Sequence, residues 1–194
     1  MVIVLLGASG VGKSTIERKI ADEYGYEKIV SYTTRKPRIT EKNGIDYNFV
    51  DDGTFNEALE KGLFAEYDEY SQNRYYGTLK NAYNFGHKIV VLTPHGLRQL
   101  KKNCPNCDIY SVLIESDLGT RVKRYIDRCG VNKFNFDDAN EIFSRISRDF
   151  GMFLGIEDEV DLVVRNDEGK DINMLIREIL YNVEEAEEYS GLLR

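Results

Sequence analysis

The sequence predicts an α/β fold: a three-layer core with a parallel sheet covered on both faces, a small mixed α+β lobe inserted into it, and a helical lid. Three observations predict it. Apolar runs recur at 2–6, 28–31, 88–92, 109–114 and 161–164, and helical patterns fall between most of them, at about 14–24, 95–103, 117–128, 138–154 and 171–188. Runs that are apolar throughout suit parallel strands buried on both faces. Between residues 32 and 86 the rhythm breaks into short alternating runs at 47–50 and 63–70, set among tyrosines and turn residues.

Residues 2–6 read as a buried strand and the residues after Ser14 as an amphipathic helix. Between them lies Gly7-Ala8-Ser9-Gly10-Val11-Gly12-Lys13-Ser14, which fits G-x-x-x-x-G-K-[ST] at every defined position. Strand, glycine loop and helix make a phosphate cradle. Gly7, Gly10 and Gly12 let the backbone curl so that successive N–H groups point inward at a polyphosphate. The helix start adds positive potential. Lys13 can reach the β- and γ-phosphates, and the Ser14 hydroxyl can ligate Mg²⁺. The stretch from Gly7 to Thr15 is therefore the expected nucleoside triphosphate site, against the alternative of a glycine-rich turn without a ligand.

The chain has 194 residues, 42% hydrophobic and 30% charged, which suits one domain with a small inserted lobe. No apolar run reaches the length of a membrane span, and no basic segment followed by an apolar core opens the chain. The expectation is a cytoplasmic protein without a membrane partner. The net charge of −7 is uneven: residues 157–188 hold twelve acidic and three basic side chains, leaving the remainder slightly basic. Overall acidity argues against nucleic acid, whereas local basic segments suit a small anionic ligand. Cys104 and Cys107 have zinc-knuckle spacing, but the only histidines, His87 and His95, do not repeat it, so an incidental loop pair is expected.

The segment Ser31-Tyr32-Thr33-Thr34-Arg35-Lys36-Pro37-Arg38 follows the second apolar run. Two arginines with hydroxyls upstream would clamp a monophosphate, because guanidinium groups hold phosphate oxygens in bidentate fashion. The alternative is a solvated basic loop. Next come Glu41-x-x-Gly44-x-Asp46-Tyr47-x-Phe49-Val50, then Phe64-Ala65-Glu66-Tyr67, then Tyr75-Tyr76-Gly77-Thr78. Late in the chain Arg121, Arg124 and Arg128 share one helix face, and Arg145 and Arg148 another.

The ordered series SYTTRKPR, DYxFV, FxEY and YGT resembles the guanylate kinase family, from residue 2 to about 167. The resemblance implies a core at 1–31 and 87–194 with a lid at about 125–148, and a GMP-binding lobe at 32–86. It implies that Arg35, Arg38, Tyr47 and Tyr76 hold the acceptor phosphate, and that Glu66, Thr78 and Ser31 address the base, with Thr78 donating to O6. Arg124, Arg128 and Arg145 would join Lys13 and Arg35 around the transferring phosphoryl group, whereas Arg121 and Arg148 have acids such as Asp117, Asp127 and Asp149 as competing partners. Asn166 would lie near the adenine of ATP. Val91 and Thr93 stand where the family usually carries aspartates, one of which helps read the guanine amino group; Thr40 replaces a usual glycine, and the stretch between Arg128 and Arg145 is longer than typical. The implied reaction is ATP-dependent, Mg²⁺-assisted phosphorylation of GMP or dGMP, by a monomer or homodimer. Three alternatives stay open: a ribose 1,5-bisphosphate phosphokinase, a broad deoxynucleoside monophosphate kinase, and a protein-binding module of the same fold. Such modules tend to lose the loop lysine, and Lys13 is present.

Overall fold

The computed structural model describes residues 1–38, 41–71 and 74–192, so Thr40 lies outside the described residues. In chain order the elements are β1 (Val2–Leu6), α1 (Lys13–Tyr24), β2 (Glu27–Lys28), β3 (Tyr32–Thr33), β4 (Asn48–Phe49), α2 (Asp52–Glu60), β5 (Phe64–Ser71), β6 (Arg74–Leu79), β7 (Lys88–Val91), α3 (Pro94–Asn103), β8 (Ile109–Glu115), α4 (Leu118–Cys129), α5 (Phe136–Met152), β9 (Leu162–Arg165) and α6 (Ile172–Leu192).

β1 is the middle strand of a five-stranded parallel sheet in the order β2-β7-β1-β8-β9. Its five residues are each 3% exposed or less, which is why the run carries no polar alternation. Ile3 and Leu5 face α1 and α6 through Ile16, Ile20, Ile176 and Ile179. Val2, Val4 and Leu6 face the opposite layer through Val90, Leu97, Leu100 and Ile156. Each such side chain contributes about 1.5–3 kcal/mol by leaving water. The sheet thus has two cores, one per face, as the apolar runs predicted. Cys104 and Cys107 pack partly buried against the second of them, and burial raises both thiols above their ordinary values.

The second apolar run behaves differently from the expected strand at 28–31. Only Glu27 and Lys28 pair with β7. The Ile29 N–H still donates to the Ile89 carbonyl at 2.9 Å, but the Ser31 carbonyl already accepts from Asn48 at 2.8 Å. The run is divided between two sheets, because its C-terminal half continues into β3. The second sheet has the order β4-β3-β6-β5, with β3 parallel to β4 and β6 antiparallel to both β3 and β5. It also carries α2, a helix that the pattern reading did not place. Asp51 caps it by accepting the Thr54 N–H at 2.7 Å. Phe55 is its one buried residue and stacks on Phe64 with ring centroids 4.5 Å apart. One buried position leaves no helical period to read.

Edge strand β5 is covered by α3. Gln99 accepts the Tyr67 N–H at 3.3 Å and donates to the Tyr67 carbonyl at 2.7 Å, as a neighbouring strand would. Asn103 donates to the Ala65 carbonyl at 2.8 Å. These bonds satisfy an otherwise open sheet edge and fix Glu66, between Ala65 and Tyr67, over the start of α3. On the far side α4 and α5 form a helical hairpin. Asn135 and Asp138 form a capping box that starts α5 two residues earlier than expected. No helix among the described residues is long and apolar enough to cross a membrane.

Candidate active site

The loop after β1 is built on glycine. Gly7 has φ +144°, and a Cβ there would lie 2.3 Å from the Ile114 carbonyl oxygen. Gly12 has φ +103°, and a Cβ there would lie 2.7 Å from Asn166 Nδ2. The loop's carbonyls are held from behind. Asn166 Nδ2 donates to the Val11 carbonyl at 2.8 Å, and Arg124 reaches the Gly10, Val11 and Asn166 carbonyls at 3.0–3.3 Å. With those carbonyls engaged, the N–H groups at the start of α1, which have no intrahelical partner, are left for an anion. Asn166 is 4% exposed and braces the loop. Ala8, Ser9, Gly10 and Thr15 lie along the same turn, and the exposed Ser14 side chain has no hydrogen-bond partner among the described residues.

Lys13 Nζ folds back onto the Gly7 and Ala8 carbonyls at 2.6 and 3.0 Å. Burial pushes its pKa down to about 8, helped by the guanidinium groups of Arg121, Arg128 and Arg145 and opposed by the carboxylate of Asp149. Helices α4 and α5 therefore bring cations to the loop. Arg128 is exposed, Arg145 pairs with Glu141 and lies over the Tyr125 ring at 5.9 Å, and Arg124 is bound to loop carbonyls. Arg121 takes the competing partner: its Nη2 lies 2.9 Å from Asp149 Oδ2, and its Nε donates to the Ser9 carbonyl at 2.8 Å.

The arginine-rich segment places Arg35, Tyr47 and Tyr76 together. Arg35 is held more fully than its sequence suggests. Its Nη1 and Nη2 donate to the two carboxylate oxygens of Glu41, each at 2.9 Å, its Nε to the Tyr76 hydroxyl at 3.1 Å, and Nη1 also to the Lys36 carbonyl. The Tyr47 and Phe49 rings lie 5.3 and 5.6 Å from its guanidinium carbon. Of five N–H donors, one on Nη2 is uncommitted among the described residues. Burial pushes the Tyr47 phenol to about 12, with Tyr76 adding to the rise. Arg38 stays exposed, 3.8 Å from Glu41. Glu41, which the motif leaves without a role, is the counter-ion of Arg35.

On β5, Glu66 is 4% exposed. Thr78 donates its one hydroxyl proton to Glu66 Oε1 at 2.7 Å, and Tyr83 completes the chain through an O···O distance of 2.6 Å to Thr78. The proton expected on the base O6 is thus directed at Glu66, and Thr78 positions that carboxylate. Burial lifts the Glu66 pKa to about 7; the Thr78 bonds oppose the rise and the Asp68 charge adds to it. Glu66 Oε2 lies where a Cβ on Gly96 would be, at 2.8 Å. Ser31 is half-buried at the start of β3. The sequence singles out neither Asp68 nor Tyr83 and offers Asp149 only as a partner for Arg121 or Arg148, because the remaining contacts of each depend on the tertiary fold.

A glycine loop between the central strand of a parallel sheet and its helix, with a second mixed sheet carried beside it, is the arrangement of a P-loop fold. A family model described as guanylate kinase matches residues 1–182. The chain is 30% identical over 186 residues to the guanylate kinase of Malacoplasma penetrans, covering 93% of this chain and 92% of that protein. It is 36% identical over 127 residues to the guanylate kinase of Lactobacillus acidophilus, covering 62% and 61%. Among solved structures, guanylate kinase from Anaplasma phagocytophilum superposes with a TM-score of 0.70 at 21% identity, covering 96% of this chain and 85% of that one, a likeness of fold. The chain belongs to the guanylate kinase family and is a nucleoside monophosphate kinase.

Proposed function

We propose that this enzyme transfers the γ-phosphoryl group of Mg²⁺-bound ATP to GMP, and to dGMP, giving the diphosphate. The observation that carries the guanine reading is the buried Glu66 carboxylate held by Thr78. Guanine presents N1–H and its amino group side by side, and an ionised carboxylate accepts both. Adenine presents an acceptor at N1, which would leave Glu66 buried without donors, at a cost of several kcal/mol and hence a selectivity on the order of a thousandfold.

The nucleophile is a phosphate oxygen of the acceptor, already ionised near neutral pH with a second pKa of about 6. No general base is required. Arg35, Arg38, Tyr47 and Tyr76 orient that phosphate, and the two bonds that Arg35 donates to Glu41 keep it in one rotamer beforehand. Lys13, Arg124, Arg128 and Arg145 supply positive charge where the phosphoryl group moves. The donor set fits a metal that arrives with the nucleotide: Ser14 offers a hydroxyl at the loop, and no cluster of three or more metal-ligating side chains occurs among the described residues. Bound there, Mg²⁺ would neutralise charge on the β- and γ-phosphates. Closure of the helical hairpin and the inserted lobe would keep water from the triphosphate.

An ADP-release assay with Mg·ATP against GMP, dGMP, AMP, CMP, UMP, dTMP and ribose 1,5-bisphosphate tests the reading. Turnover confined to GMP and dGMP is expected. Turnover spread across bases, or on the sugar phosphate alone, overturns the substrate; ATP binding with no acceptor turned over would favour a binding module.

A further inference from the structure

With Glu66 assigned to the base, a second carboxylate on the same strand has no task. β5 pairs regularly with β6 from Glu66 to Asp68, with Glu66 opposite Thr78 and Asp68 opposite Tyr76. Side chains two apart on a strand share a face, so Asp68 projects from the side that carries Glu66, Thr78 and the clamp residue Tyr76. Its orientation is fixed from α3. Thr93, the N-cap of that helix, accepts the Gly96 N–H at 3.0 Å and donates its hydroxyl proton to Asp68 Oδ2 at 2.7 Å. A threonine pinned by a capping bond has one direction left for its proton, and Asp68 receives it. The side chain is half-buried, and its Oδ1 has no hydrogen-bond partner among the described residues.

The two carboxylates lie one strand repeat apart, about 7 Å along the backbone. Glu66 uses its oxygens on N1–H and one amino hydrogen of guanine. The second amino hydrogen points away along the same edge of the base and needs an acceptor of its own. We infer that Asp68, anchored by Thr93, accepts that second amino hydrogen and is the residue that separates purine monophosphates with a 2-amino group from those without one. The acidic group at this end of the base comes from β5, and the uncharged Thr93 at the N-cap of α3 is its holder. The inference rests on the guanine reading, and it concerns a discrimination that Glu66 alone does not make, since hypoxanthine also offers N1–H.

The test compares GMP with IMP, which lacks the 2-amino group, in the wild type and in Asp68→Asn, Asp68→Ala, Thr93→Val and Thr93→Ser. In the asparagine variant Thr93 takes the one carbonyl oxygen, leaving an amide donor toward the substrate. Losing a charge-assisted bond is expected to lower the GMP:IMP ratio of kcat/KM by roughly 10- to 100-fold in both Asp68 variants, mainly through KM for GMP. Thr93→Val should lower the ratio less, and Thr93→Ser, which keeps both hydroxyl bonds, should restore it. Equal losses on GMP and IMP, or an unchanged ratio in a wild type that still prefers GMP to AMP, would overturn the role of Asp68 alone. A wild type that does not prefer GMP to AMP would overturn the guanine reading, and this inference with it. Binding of both nucleotides by titration calorimetry gives the same comparison where turnover of IMP is slow.

Discussion

The Asp149 carboxylate on α5 accepts the Ser9 N–H of the phosphate loop at 2.7 Å, although the two residues stand 140 positions apart. Asp149 is 3% exposed and also holds Arg121. A carboxylate thus occupies a loop donor and an arginine that phosphate oxygens would use. Its charge also supports protonation of Lys13. Asp149→Asn keeps the shape and removes the charge. Attraction between a carboxylate-free loop and ATP should tighten, with Kd falling about 3- to 10-fold. Calorimetric titration of ATP checks this; weaker binding at unchanged thermal stability would show that Asp149 assists the nucleotide.

Lys13 titrates near 8 before a ligand binds. The ammonium form is the one that binds a polyphosphate, so binding of ATP should take up a proton above that pH. Affinity should fall as pH rises through 8, by about tenfold per unit until the bound form also titrates. Titration at pH 8.5 in two buffers of different ionisation enthalpy measures the proton uptake directly.

Glu66 makes a stability prediction of the opposite kind from an ordinary paired acid. Its folded pKa of about 7 lies above the ordinary 4.5. The native state therefore binds more protons than the unfolded chain between those values, and its stability falls as pH rises through that window. Glu66→Gln removes the penalty. The variant should exceed the wild type at pH 8 by up to about 3 kcal/mol and match it near pH 4, as read by denaturant unfolding at both pH values.

Gly96 leaves room for the Glu66 carboxylate at the start of α3. Gly96→Ala places a Cβ 2.8 Å from Glu66 Oε2 and forces that buried group to move. KM for GMP should rise roughly tenfold or more, as misplacement of about 1 Å allows. The melting temperature should change little, because alanine favours a helix over glycine. An unchanged KM would show that Glu66 tolerates displacement.

The central strand, its loop and the layers around them were legible because their signals are local: five apolar residues, a spaced glycine motif and a helical period. The same holds for α6, whose buried Leu175, Ile176, Ile179 and Val183 follow that period. The second strand was misread because residues 28–31 serve two sheets, and an apolar run does not say where a chain changes partners. α2 was missed because only Phe55 is buried along it. Motif order singles out Arg35, Tyr47, Tyr76, Glu66 and Thr78 as candidates, and the fold brings the first three together and pairs the last two. Motif order did not reveal Glu41 as the partner of Arg35, Thr78 as the holder of Glu66, Asp68 on Thr93, or Asp149 at the loop, because each pairing depends on how separate elements come together.

The most direct measurement is the ratio of kcat/KM for GMP to that for AMP in the wild type and in Glu66→Gln. A neutral amide can still accept from N1–H, but it presents a donor to the amino group and carries no charge. A wild-type preference for GMP on the order of a thousandfold is expected, reduced by at least about a hundredfold in the variant. An equal ratio in both proteins, whatever its size, would contradict the claim that Glu66 selects the base.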